Sequence, residues 1–325
     1  MSVAMLFSIL AALAVAAVSI DIGRVFVARY ELQNAADAAA LAGAGSLLPG
    51  NPNPKWSVAQ ANAASAVSLN SSDGVKLTTA SVQSGFWNLT GSPAGMQAST
   101  ISPGTYDNPA VQVTVSRAAG LNGGPVSFFF APLFGVVSGP VAATAVAVVS
   151  APGYVAPGGL FPVAIGKCIY DQYWDAQTGA PKVDPSTGQV YTFQFGNGQT
   201  YGGGCAAGQW TSFQTDNNDV PTVRGLISSG NPVGLGIGDS IWIESGVKAT
   251  IYDSVPTNTN VLIPVVQQVS SSNAAIVGFA AFRIDSVNKS GKYIQGHLIT
   301  GYKITAGTGQ SGPYYGAYVP PRLAQ

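Results

Sequence analysis

From Ser2 to Ile20 every position is apolar, small or hydroxylic, and none is charged. At about 1.5 Å per residue a helix of that length matches the roughly 30 Å hydrocarbon core of a bilayer, so residues 1–20 are predicted to form a membrane anchor. Polar side chains return at Asp21, yet no glycine or proline cluster interrupts the apolar spacing behind it. One helix is therefore predicted from Val3 to about Leu48, a rod of about 70 Å. A cleavable signal peptide competes, since Ala12-Leu13-Ala14 has the small-x-small form. The length of the run and the lack of a basic segment before it favour retention.

Beyond Leu48 the prolines Pro49, Pro52 and Pro54 must end any helix. Alanines and valines at helical spacing predict a second helix over Ser57 to Leu69, with Ser57 as N-cap and Asn70 to Gly74 as its stop. Alternation then takes over. Val75 to Val82, Ser84 to Leu89 and Ala110 to Ser116 read as strands, clearest where Val111, Val113 and Val115 alternate with Gln112, Thr114 and Ser116. Ser127 to Phe134 is an apolar turn or short helix, and Pro140 to Val149 a buried strand. Ala151 to Gly159, rich in proline and glycine, reads as a linker. After it, strands are expected at Leu160 to Ile165, Val190 to Phe195, Ser240 to Glu244, Lys248 to Tyr252, Val261 to Gln268, Ala274 to Val287 and Tyr293 to Thr305. The fold class is α+β: a transmembrane helix (1–20) continuing into a long helix packed on a small antiparallel sheet (21–150), a linker (151–159), and a mostly β domain, sandwich or barrel (160–325).

Composition sharpens this picture. Glutamate occurs only at Glu31 and Glu244, charged residues make up 9% of the chain, and 40 glycines and 21 prolines supply turns. That suits an extracytoplasmic β-rich body. The net charge of +0 and the lack of a basic stripe argue against a nucleic-acid partner. Cys168 and Cys205, an even count on an exported chain, read as one disulfide worth about 4 kcal/mol in the chain-entropy model, with two buried thiols as the alternative.

Catalytic and metal signals are weak. The single histidine, His297, lies in a strand-like run with no nucleophile elbow to serve. Gly234 to Asp239 lacks the spacing of a dinucleotide loop and reads as a turn. Asp171, Asp175, Asp184 and the Asp216 to Asp219 cluster fit no calcium-loop spacing and are read as turn formers. No catalytic residue, metal ligand or cofactor is expected. The aromatics from Tyr170 to Trp210 either pack on the β core or, if exposed, form a binding surface.

The order Val3-Ala4-Met5-Leu6-Phe7, an Ala/Val/Leu run, Asp21-Ile22-Gly23-Arg24, and Leu32-Gln33-Asn34-Ala35-Ala36-Asp37-Ala38-Ala39-Ala40-Leu41-Ala42 resembles the N-terminal module of the TadG-like proteins of bacterial tight-adherence (Tad/Flp) pilus assembly systems. The resemblance covers residues 1–45. It departs from the usual pattern in lacking a basic, glycine-containing leader. The only basic residues near the membrane, Arg24 and Arg29, follow the apolar run, and positive-inside counting would place that side in the cytoplasm, against the secreted character of the body.

The resemblance implies a non-enzymatic, single-pass inner-membrane protein with its bulk in the periplasm. Its expected partners are other Tad pilus or secretion-complex proteins and minor pilins. A minor pilin or surface adhesin, with a C-terminal domain that binds a ligand such as a carbohydrate, is the alternative. The Asp-x-Ser-x-Ser motif carried by some relatives is absent. Because small side chains let backbones approach closely, Ala36, Ala40 and Gly43 are expected to form a tight seam, either on neighbouring anchors, giving a homo-oligomer, or on the chain's own sheet.

Overall fold

The computed structural model describes residues 3–48, 53–104, 106–196, 198–244, 249–269, 272–304 and 311–324. Within the first helix the side chains of Val3, Ala4, Leu6, Phe7, Ile9, Leu10, Ala11 and Leu13, all in the run read as an anchor, are outside the description. Among the described residues no helix is long and apolar enough to cross a membrane.

The long helix is continuous: α1 runs from Val3 to Ala44, about 60 Å at the standard rise. Its described residues before Asp21 are mostly exposed. From Ala28 onward Leu32, Ala35, Ala36, Ala39, Ala40 and Ala44 are fully buried, the i, i+3/i+4, i+7 spacing of a single helix face. α2, Trp56–Val67, packs beside it through Ala59, Ala63 and Val67. Its N-cap is Lys55, without a side-chain cap bond, rather than the expected Ser57. The expected strand at Val75 to Val82 is divided, with Val75–Lys76 closing a two-residue hairpin on Ser71–Ser72.

Three strands follow: β1, Ser81–Asn88, β2, Asp107–Arg117, and β3, Val141–Ser150. β2 pairs antiparallel with β1 from Ser81↔Thr114 to Asn88↔Asp107, and with β3 from Ala110↔Val148 to Arg117↔Val141. Val111, Val113 and Val115 face α1 together with Ala143, Ala145 and Ala147, which makes one core with the helix alanines. This is the small antiparallel sheet expected from the alternation, because period-2 burial needs one apolar face only.

The second half of the chain builds β4, Val163–Gly166, α3, Lys167–Tyr173, β5, Phe193–Gly196, β6, Gly208–Phe213, α4, Val220–Ser229, β7, Ser240–Ile243, β8, Thr259–Val266, β9, Asn273–Asn288, β10, Tyr293–Leu298, and β11, Ala317–Leu323. Pairing runs β9–β7–β6–β4–β8 and closes from β8 back onto β9, so five strands form a barrel. β10 and β5 extend from the far half of β9. Both sides of these strands are buried, in two apolar clusters. Where a strand was expected at Lys248 to Tyr252, Ala249–Ser254 is a 3-10 turn that buries Ile251 and Tyr252; Lys248 lies outside the described residues.

Two features tie the halves together. Residues 151–159 are packed rather than free: Ala151 and Val155 are buried, and Tyr154–Val155 pairs with Leu235–Gly236. β11 leaves the barrel and pairs antiparallel with β3, at Val319↔Ser150 and Arg322↔Val148. The first sheet therefore carries a strand from the end of the sequence, flanked by Tyr302–Lys303 in parallel.

The alanine seam is thus internal. Ala36 and Ala40 lie in the core shared with β2 and β3, and a Cβ on Gly43 would stand 2.9 Å from both the Ala59 carbonyl oxygen and the Ala63 Cβ. Ala36, Ala40 and Gly43 thus pack on the chain's own sheet and second helix in this structure. Enlarging this face overpacks a closed interface. Ala40→Leu is expected to lower unfolding stability by about 1–3 kcal/mol, whereas Ala38→Leu, on the exposed face, changes it by less than about 0.5 kcal/mol. Guanidinium unfolding of the detergent-solubilised chain, followed by tryptophan fluorescence, checks both.

Candidate functional site at the helix exit

Where α1 emerges from the sheet, the side chains of Asp21, Arg24 and Glu31 and the carbonyl of Ala28, spaced at three and four residues, fasten two surface loops to the helix. Asp21 is 5% exposed. Its carboxylate accepts the backbone N–H groups of Phe129 at 2.7 Å, Phe130 at 3.0 Å and Ala131 at 2.7 Å. Ala131–Phe134 is a 3-10 turn, so Asp21 satisfies donors at the start of that turn from a distant part of the chain.

Arg24 makes a bidentate pair with Asp73, at 3.1 and 3.0 Å, and its guanidinium lies 4.4 Å from the centroid of the Phe129 ring. Such a fork is directional, and the aromatic face adds a cation–π contact. The Ser71–Lys76 hairpin is held further by Ser72 Oγ donating to the Ala28 carbonyl at 3.1 Å and by the Asp73 N–H donating to Glu31 at 2.6 Å. Buried Arg117 donates to the carbonyls of Ser72 and Gly124, both at 2.8 Å. Asn122 bonds the Thr78 and Thr79 N–H groups and the Ser116 carbonyl, bracing the start of β1.

The remaining motif residues divide by face. Leu32, Ala35, Ala36, Ala39 and Ala40 are core, while Gly23, Asn34 and Ala38 face outward. Gln33 donates to Asp37 at 2.8 Å and to the Thr144 carbonyl at 3.2 Å, which pins the helix to β3. The Asp21-x-x-Arg24 pair directly after the uncharged run was visible in the sequence. Its partners, Asp73 and Phe129 to Ala131, were not, because they are far away along the chain.

Comparison with known families matches two models to this part of the chain: residues 1–46 to one described as Flp pilus-assembly TadE/G-like, and residues 42–147 to one described as Tad-like Flp pilus-assembly. Residues 1–46 are thus similar to the TadE/G-like proteins, and the match to Tad-like Flp pilus-assembly proteins extends the likeness to residue 147. No curated protein and no solved structure gives a match.

Beyond the matched residues, which end at residue 147 inside β3, the other candidates resolve into structural roles. Cys168 and Cys205 form a disulfide that joins α3 to the segment before β6. Tyr170, Trp174, Phe193, Phe195 and Trp210 are buried in the barrel core and Tyr173 stacks on Phe193, so these aromatics are packed rather than displayed. His297 occupies an outward strand position and pairs through Nδ1 with Asp285 at 2.8 Å. Asp175 and Asp184 accept local turn donors, which hold both carboxyls below the usual value, and Asp219 caps α4 through the Thr222 N–H. Among the described residues no group of His, Cys, Asp or Glu could hold a metal ion. A cleft of about 620 Å³ between the first sheet and the barrel contains Asp107, whose carboxylate is occupied by Gly104, Asn88 and Gln97.

For Asp21, burial is the largest single influence and pushes the carboxyl upward; the three N–H donors and nearby Arg24 together outweigh it and hold the group below the ordinary carboxylate value. A lowered folded-state value stabilises the clamp above the unfolded pKa of about 3.9 and loses that contribution as pH falls through the folded value. Acidification below about pH 4 is therefore expected to shift the amide resonances of Phe129 to Ala131. Asp21→Ala should show the same change at neutral pH. Replacing Arg24 by lysine removes the fork and the stacking plane; Arg24→Lys is expected to lower the thermal midpoint, while Arg29→Lys, at an exposed position, does not.

Proposed function

We propose that the chain is a non-enzymatic, membrane-anchored component of Tad/Flp pilus assembly that acts through protein contacts in the periplasm. Family membership of the N-terminal region supports the pilus-assembly role. The single observation that carries the anchored reading is the change in α1 at Asp21: the helix is buried against its own sheet from Ala28 to Ala44, yet continues outward through an uncharged run whose described residues, such as Val15, Val18 and Ile20, are exposed. A single-pass inner-membrane placement covers that surface.

The disulfide supports a periplasmic body, since such bonds persist in oxidising compartments. The opposing positive-inside signal rests on Arg24 and Arg29, and Arg24 is engaged with Asp73 and Phe129 in the folded body. The adhesin alternative depended on exposed aromatics between Tyr170 and Trp210; Tyr170, Trp174, Phe193, Phe195 and Trp210 are buried and Tyr191 stays exposed, which weakens its support. In this reading residues 21–150 form the body nearest the membrane and 160–325 a β-rich body beyond it, whose contacts are with other pilus or secretion-complex proteins.

Deleting the gene is expected to abolish Flp pilus output. The native protein should sediment with membranes, and Cys168 and Cys205 should resist maleimide until reductant is added. Recovery of the protein in sheared surface fibres would replace this reading with that of a pilin-like subunit.

A further inference from the structure

Residues 127–137 concentrate exposed apolar side chains as no other described segment outside α1 does. Leu133 is 81% exposed, Phe134 73% and Phe129 65%, with Val136 and Val137 also open to solvent. The segment from Ala118 to Gly166 contains no charged residue. The Asp21 clamp holds this loop at the level where the uncharged run of α1 ends. Helix and loop thus form one apolar surface, continued by Val18, Ile22 and Phe26.

The backbone of the loop is suited to a poorly hydrated setting. The N–H groups of Phe129 to Ala131 go to Asp21, that of Phe128 to Val137, and those of Leu133, Gly135 and Val136 to carbonyls of Phe130, Pro132 and Ala131. Satisfied donors lower the cost of leaving water, which in lipid is several kcal/mol for each orphan group. Arg29 and Tyr30 lie on the exposed helix surface about one turn further from the run, where a basic and an aromatic side chain suit a headgroup layer.

We propose that the 127–137 loop is a second membrane contact, inserting Phe129, Leu133 and Phe134 into the bilayer interface beside α1 and fixing the depth and tilt of the body on the membrane. This rests on the anchored reading above. The occupant is lipid because the loop is continuous with the uncharged helix surface and carries no charge of its own. A single helix leaves the body free to swivel about its axis; a second contact point to one side removes that freedom.

The native cysteines are paired, so one introduced thiol can be spin-labelled selectively. The full chain is reconstituted in vesicles of phosphatidylethanolamine and phosphatidylglycerol with a label at Leu133→Cys, Val15→Cys or Val183→Cys. Accessibility to oxygen and to a water-soluble nickel chelate is then read by electron paramagnetic resonance. The proposal expects labels at 133 and 15 to be oxygen-accessible and shielded from nickel, with 183 open to nickel. Lipid exposure at 15 with nickel access at 133 overturns the loop contact and leaves the anchor standing. Nickel access at both overturns both. A label at 133 that is immobilised and shielded from both reagents indicates a protein neighbour, such as a second copy, and also overturns the proposal. As a functional complement, Leu133→Asp is expected to leave the thermal midpoint unchanged while raising nickel accessibility at a label on Phe134→Cys several-fold.

Discussion

The close approach of α1 to its sheet is the constraint on which the rest depends. Ala28, Ala35, Ala36, Ala39, Ala40 and Ala44 present almost no side-chain bulk, so the helix backbone settles onto Val111, Val113, Val115, Ala143, Ala145 and Ala147. Gly43 allows α2 to close from the side. Each small side chain buries little area, and the stabilisation comes from the length of the interface and its packing density rather than from large anchors. A rod seated this tightly transmits the orientation of its outer half to the body as a rigid unit. The polar stripe from Asp21 to Glu31 then organises both surface loops around the exit of that rod.

Much of this architecture was legible in the sequence because it follows local periodicity. The span of α1, the alternation in Ala110 to Ser116 and the alanine-valine strand ending near Val149 needed only spacing rules. The failures have physical causes. α3 is seven residues long and starts directly after β4, and α4 is ten residues long behind the turn at residues 216–219, so neither shows a long 3.6-residue repeat. β6, Gly208–Phe213, mixes Gln209 and Thr211 with Trp210 and is buried on both sides, which removes the alternation. Residues 249–254 contain β-branched and aromatic side chains, and tertiary burial of Ile251 and Tyr252 selects a 3-10 turn over a strand. Proline and glycine at 151–159 suggested a free linker, whereas Tyr154–Val155 found a strand partner eighty residues on at about the Leu235 position.

The site was half legible. Asp21 and Arg24 were named from the sequence as part of the pattern that resembles the TadG-like proteins. What they hold could not be read, since hydrogen-bond partners separated by 49 and 108 positions leave no local trace. The aromatics around the disulfide show the converse: their density was plain, and their burial was a property of the barrel that β9 and β10 build over them.

The return of β11 to β3 bears on the order in which the molecule can mature. Until residues 317–323 are in place, the outer edge of β3 is a row of unpaired backbone groups beside the seat of α1. Once β11 pairs there, β3 is flanked on both sides, and the two-residue strands Met96–Gln97 and Tyr302–Lys303 stand at the margins of the sheet among the described residues. Closure of the first sheet is thereby a report that the barrel between its strands has formed. Folding that proceeds from the N-terminal side would leave the edge of β3 open until residues 317–323 reach it.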